Sequence, residues 1–269
     1  MPGIRAAKTM YVAMYGELVP HPGAGPPAEA SPDAYNLFEA RSAAMGWLAT
    51  HATDGGLWGM NDAQALPDSG LRPARIAFFQ VVLTGQAPVT LLPVQAFLSC
   101  AGDVVARLGV PRLEAIQVLL PERDGEAEGR VASPSGMRAA GLLLDAADWF
   151  ASCNPRLRAP VRVTLDAGPD ASVRNAAAGI AGWLQAIEQE VFGCDSVSLA
   201  EEDHLILERT ALHGGPPETV QHRVTFRGTL AEWSLDALGW LAAFLADACT
   251  RHGVSTQLML TADRSAPAG

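Results

Sequence analysis

Two hydrophobic periods alternate along this chain, and their order is the first structural signal. "TMYVAMYGELV" reads as an opening strand, followed by the Pro/Gly-rich loop "GAGPPAEASPD". Ser31 as an N-cap candidate, Pro32 at the first helical position and Asp33 in the first turn then predict a helix over 32–51. Gly55-Gly56 end that pattern, and "LWGMNDAQAL" is a weak second strand. "RPARIAFFQVVLTG" is a stronger third, with a nearly continuous apolar run from Ile76 to Leu83. A second helix is expected over 91–108, stopped by Gly109, with "LEAIQVLL" as the fourth strand. Strand, helix, strand, strand, helix, strand is the split βαβ, or ferredoxin-like, order.

Residues 121–136, "PERDGEAEGRVASPSG", replace the apolar pattern with Gly, Pro, Ser and charges and read as a linker. "GMRAAGLLLDAADWFASC" follows as an extra helix, stopped by Asn154-Pro155. The first order then recurs: "PVRVTLDA", a helix over 171–192, "HLILERTAL" and "TVQHRVTFRG" around the turn "HGGPP", a helix over 235–252, and "STQLMLTA". The expected fold is α+β, a tandem duplication of a ferredoxin-like (βαββαβ) unit with antiparallel sheets and helices on one face. Its parts are a first half over 1–121, a linker over 122–136, and an extra helix plus the second half over 137–269. Two such units can meet sheet to sheet as a barrel-like pseudo-dimer.

The tripeptide Gly-Trp-Leu tests the duplication. It stands at Gly46-Trp47-Leu48 and Gly182-Trp183-Leu184 in the two first helices, and again at Gly239-Trp240-Leu241. Leu83-Thr84-Gly85 and Phe226-Arg227-Gly228 align the third strands, and Leu108-Gly109-Val110 and His252-Gly253-Val254 the ends of the second helices. Glycine inside a helix costs about 0.5 to 1 kcal/mol relative to alanine, so three of them require a compensating reason. Close approach of helix to sheet is the simplest, with the adjacent Trp buried and its indole N–H bonded at the layer's edge. On that reading, replacing Trp47 or Trp183 by Ala costs about 3 to 5 kcal/mol.

Composition narrows the function classes. At 49% hydrophobic residues and 269 positions the chain can bury a real core, yet no apolar run reaches membrane-span length. The longest, Ala237 to Cys249, is interrupted by Asp247. The amino terminus has Arg5 and Lys8 but no apolar block with a small-residue cleavage site, so cytoplasmic residence is expected. A net charge of -10 opposes nucleic-acid binding, and no RNP-like pattern marks the third strands. Lys8 is the sole lysine beside eighteen arginines, and with abundant Ala, Gly and Pro this suggests a high-GC bacterial genome. Arg156, Arg158 and Arg162 form one local basic cluster around a loop, where a small anion could bind. Cys100, Cys153, Cys194 and Cys249 are far apart, form no CxxC pair, and are expected as buried thiols.

Chemistry is sparse. Glu201, Glu202, Asp203 and His204 stand together, but consecutive residues diverge, so a solvated acidic turn is expected and no metal site. Glu208 and His222 could face one another across the "HGGPP" hairpin as an acid–base pair, the one candidate catalytic constellation. His222 alternates with Val220, Val224 and Phe226, so a core histidine is the competing reading. No GxSxG elbow, GxGxxG turn or GxxxxGK[ST] loop is present.

Two functions remain open. The first is a non-catalytic binding or assembly protein, using a protein partner or self-association, which predicts a broad apolar surface patch and no deep polar pocket. The second is a small-molecule-binding enzyme with a pocket between two sheets, lined by Trp58, Trp233 or Phe79. Barrel-like pseudo-dimers include haem-dependent and cofactor-free oxidoreductases; the resemblance is topological and no motif carries it. Haem would require an axial His, with His222 or His204 as candidates, and no other cofactor is indicated.

Overall fold

The computed structural model describes residues 8–21, 33–50, 55–61, 73–84, 91–123, 134–199 and 222–264, and within 134–140 the backbone only. Over these residues the protein is a mixed α+β molecule with one antiparallel sheet of eight strands and five helices. The strands are β1 (Thr9–Val19), β2 (Trp58–Met60), β3 (Arg75–Leu83), β4 (Val110–Leu120), β5 (Ala159–Asp166), β6 (Phe192–Ser198), β7 (Arg223–Leu230) and β8 (Leu258–Arg264). The helices are α1 (Ala34–Ala44), α2 (Val94–Leu108), α3 (Pro134–Ala151), α4 (Ser172–Ala186) and α5 (Leu235–Arg251). The strand order is β2-β3-β1-β4-β8-β5-β7-β6, which reads alike from either edge.

The sheet is open. The barrel-like arrangement is not what forms, because β4 and β8 pair edge to edge, Ala115 opposite Asp263 through Leu120 opposite Leu258. That ladder makes one continuous sheet, so among the described strands there is no second sheet to face the first.

Strand alternation sorts the side chains. Met10, Val12 and Met14, Ile116 and Val118, Val161 and Val163, Val224 and Phe226, and Leu258 and Leu260 share one core with the helices. Their neighbours Tyr11, Ala13, Tyr15, Gln117, Thr164 and Asp263 occupy the opposite face, as the period-2 geometry of a strand requires.

Helix α5 is the centre of the helical layer. Fourteen consecutive residues, Ala237 to Thr250, are buried, the mark of a helix surrounded on every side. It contacts α2, α3 and α4, and Trp240 Nε1 donates to the Leu143 carbonyl of α3 at 2.7 Å. Asp247, which interrupts the apolar run, stays buried by accepting from Arg251 Nε at 2.6 Å, one turn later. That guanidinium also lies 5.5 Å over the Trp183 ring.

The three tripeptides turn out to serve three different purposes. Helix α1 ends at Ala44, earlier than the sequence pattern suggests, and Gly46 takes φ +69°, the left-handed conformation that stops a helix. Trp47 and Leu48 therefore lie outside the helix, and Leu48 bridges to Trp58. Gly182 lies inside α4 with nothing within 4 Å of an added Cβ. Only Gly239 permits a close approach, and its neighbour is a helix: an added Cβ would lie 2.9 Å from Gln95 Cα of α2. Trp47 and Trp183 are partly buried, whereas Trp240 is fully buried, so the large truncation cost belongs to Trp240.

Other boundaries shift as well. Asp33 caps α1, its carboxylate accepting from Tyr35 N at 3.2 Å, and Ser31 lies outside the described residues. Helix α4 stops at Ala186 because Ile187 turns extended, and Gln189 Oε1 then accepts from Val191 N at 2.8 Å and Phe192 N at 2.9 Å. That side-chain turn launches β6 where the periodicity suggests more helix; "HLILERTAL" is outside the described residues.

The three glycines should respond with different signs. Gly182→Ala is expected to raise stability by about 0.5 to 1 kcal/mol. Gly46→Ala should cost about 1 kcal/mol through its positive φ, and Gly239→Ala about 1 to 3 kcal/mol through overpacking against α2. Urea midpoints of the three variants check this; a common loss would restore a single packing role.

Candidate functional site

The corner where β5 runs into α4 holds the one candidate catalytic residue that can be placed. His222 precedes β7 and extends its ladder with β5: His222 N donates to Gly168 O at 2.8 Å, and Ala167 N to His222 O at 3.2 Å. Since Val224 and Phe226 face the helical core, alternation puts His222 on the helix side of the sheet, as its spacing suggested. Its Nδ1 is buried without a hydrogen-bond partner, and so is Ser172 Oγ in the first turn of α4. The nearest carboxylate in the ladder, Asp166, is already engaged, accepting from Gly168 N at 2.7 Å and from Arg223 Nε at 3.2 Å. Glu208 lies outside the described residues, as do Glu201, Glu202, Asp203 and His204, so the proposed pair is not brought together among those described.

The expected aromatic pocket is instead solid core. Trp58 and Phe79 are buried with Phe38 and Phe97, the rings 4.8 to 6.5 Å apart. Trp58 Nε1 donates to Ser42 Oγ at 3.2 Å, so its polar atom is satisfied inside the cluster. Trp233 follows β7 and donates to the Leu113 carbonyl of β4 at 2.8 Å, outside that ring cluster. A notch of about 250 Å³ lies between α2 and α5, lined by Ser99, Gly102, Asp103, Leu235 and Asp236. Its polar groups are paired: Ser99 Oγ donates to Asp236 at 2.6 Å and Arg41 Nε to Asp103 at 2.8 Å.

Two of the three clustered arginines are neutralised in different places. Arg158 pairs with Glu190 at 2.9 Å on the surface, and Arg162 with Asp263 at 3.0 Å on the helix-free face, leaving no convergent anion site. That face also carries the Thr164–Thr225 hydroxyl contact at 3.0 Å and the Arg223–Asp166 pair at 3.2 Å. These pairs are largely buried, the Arg162 and Asp263 side chains being 13% and 12% exposed. Among the described residues no group of three His, Cys, Asp or Glu could hold a metal ion.

The four cysteines are free thiols, Cys100 and Cys249 buried and Cys153 and Cys194 partly so. Burial pushes the Cys249 thiol up to about 12, against a weaker opposing pull from Arg123. Burial also raises Cys100, only partly offset by its hydrogen bond with Ser42. Both are poor nucleophiles at neutral pH.

The least expected surface is the outer side of α3. Leu143, Ala147 and Phe150 face α5, while Leu142 and Trp149, seven residues apart, stand 57% and 72% exposed. Asp145 lies between them, one turn from each, and Asp148 alongside, both exposed. Trp149 shares no ring stacking or cation–π contact among the described residues. The sequence reading took this stretch as an extra helix without dividing its faces. The signal was present in "GLLLDAADWFA", where two interleaved stripes, 143/147/150 and 142/149, are both apolar.

The chain matches no protein-family model, no curated protein and no solved structure.

Two stability tests probe the buried polar groups. Asp263→Ala should cost about 3 kcal/mol by stranding Arg162, and the double change Arg162→Met with Asp263→Leu should recover most of it; an unaffected single variant would mean the pair is solvated. Above the ordinary thiol value of 9.0 the unfolded chain releases the Cys249 proton while the folded chain keeps it until about 12. Stability contributed by this thiol therefore falls as pH rises across that window, and Cys249→Ala should flatten the alkaline limb of the urea-midpoint profile.

Proposed function

We propose that this chain is a non-catalytic binding or assembly protein, and that the outer face of α3 is its contact surface. The observation that carries this reading is Trp149, a large aromatic 72% exposed with Leu142 two turns before it. Soluble domains seldom leave a Trp so open without a partner, because it forfeits a large burial free energy. The notch between α2 and α5 has its polar groups already paired with one another or with Arg41.

We further propose that the scaffold is a tandem duplication of a ferredoxin-like unit, with halves over 1–121 and 137–269. Supporting this are the strand–helix–strand–strand–helix–strand order of both halves and the strand sequence, which from either edge runs second, third, first, fourth. No helix among the described residues is long and apolar enough to cross a membrane. Four free thiols are compatible with a reducing compartment such as the cytoplasm.

One observation favours the alternative, a small-molecule-binding enzyme. His222 Nδ1 and Ser172 Oγ, both buried and unpartnered, flank the β5–α4 corner, where a polar ligand could satisfy them.

Native mass spectrometry separates the two readings. The expected result is the bare chain mass or an integer multiple, with Trp149→Ala changing the unfolding free energy from urea titration by no more than about 0.5 kcal/mol. A retained small molecule, lost on His222→Ala, would overturn the binding-protein reading.

A further inference from the structure

Resting on the reading of α3 as a contact surface, we infer that its outer face docks an amphipathic helix of a partner protein, apolar on one side and rich in Lys and Arg on the other. The occupant follows from the charge around the exposed apolar pair. Asp145 stands three residues after Leu142 and four before Trp149, so a carboxylate sits between the two apolar groups on the same side of the helix. Asp148 flanks it on the next row. Neither acid has an ion-pair or hydrogen-bond partner among the described residues. The buried side, Leu143, Ala147 and Phe150, fixes the rotation of α3 on α5, and the Trp240 hydrogen bond to the Leu143 carbonyl fixes it further. The outer stripe is thus held rigid, which lowers the cost of ordering it on binding.

Geometry and charge together select the partner. Leu142 and Trp149 are about 10 Å apart along the axis at 1.5 Å per residue, the spacing of apolar anchors at i and i+7 on a second helix. A basic flank on that helix would meet Asp145 and Asp148, and the net charge of -10 would speed the encounter at low salt. A second copy of this chain fits less well, because antiparallel α3 helices centred between Leu142 and Trp149 would bring the Asp145 carboxylates of the two copies together. An anionic membrane or a nucleic acid is opposed by the same acids.

The test uses the full chain and a synthetic amphipathic helix of about 14 residues, with Leu at i, i+3, i+4 and i+7 and Lys or Arg elsewhere. A scrambled peptide of the same composition and a Glu-for-Lys/Arg version serve as controls. Binding is read by fluorescence anisotropy of the labelled peptide at several salt concentrations, and oligomeric mass by sedimentation. The expected result is binding of the basic helix that Trp149→Ala weakens by about 30-fold and Asp145→Asn with Asp148→Asn severalfold, with an affinity that falls as salt rises. Because all three substitutions are on an exposed face, unchanged urea midpoints show that the variants still fold. Equal binding of the scrambled or acidic peptide, or no loss in the variants, overturns the proposed partner. A concentration-dependent dimer abolished by Trp149→Ala assigns the face to a second copy; it overturns the basic partner while leaving the contact-surface reading standing. No binding of any peptide and no dimer overturns both.

Discussion

The crossing of α2 and α5 is the constraint on which the rest of the molecule depends. At Gly239 the backbones approach so closely that a methyl group would meet Gln95 Cα at 2.9 Å, and at Gly102 an added Cβ would meet Leu235 Cδ1 at 2.7 Å. One helix comes from each half of the chain, and the strands that follow them, β4 and β8, are hydrogen-bonded neighbours. The helix crossing above and the strand ladder below therefore join the same two segments twice. Burial of α5 on all sides is completed by α4, α3 and the shared core with the sheet. An interior helix of this kind tolerates Asp247 because it is paired, with Arg251 one turn away and the charge of Arg123 also acting on it.

Much of this order was legible in the sequence, and the failures have physical causes. The apolar run from Ile76 to Leu83 and the alternation in "PVRVTLDA" both lie on strands, since burial on one or two faces leaves a strong period. The end of α1 was misread because Met45 and Leu48 keep the helical spacing, although Gly46 has already left the helix with positive φ. The end of α4 was misread because Gln189 ends the segment with its side chain, a device invisible to hydrophobic periodicity. How the two halves join was not legible at all. The strand patterns left both edge-to-edge and face-to-face packing open, and the ladder from Ala115 to Leu120 with β8 shows the first.

The candidate sites divided in the same way. His222 was read as alternating with Val224 and Phe226, which lie in the helical core, but the orphaned state of its Nδ1 depends on neighbours distant in sequence. Trp58 and Phe79 were offered as pocket walls because aromatic residues suit a ligand as well as a core. Ring separations of 4.8 to 6.5 Å within their cluster decide for the core. Arg162 was grouped with Arg156 and Arg158 by proximity in the chain, yet a strand turns successive residues to opposite faces and carries Arg162 to Asp263.

The place of α3 in the fold accounts for where the proposed contact surface falls. Both halves supply two helices to the layer beside the sheet, and α3 stands between them in the chain without a counterpart. With the sheet and two flanking helices in place, the remaining side of α5 still carries Trp240, whose indole N–H needs an acceptor. Helix α3 provides the Leu143 carbonyl together with Leu143, Ala147 and Phe150 as cover. That cover occupies one face of α3, and nothing in the α5 core constrains the other. A covering helix with no partner of its own would be expected to be polar on its outer side, as any solvated amphipathic helix is. Instead its outer side carries Leu142 and Trp149 beside two acids with no partner among the described residues, a composition that closing the core does not require.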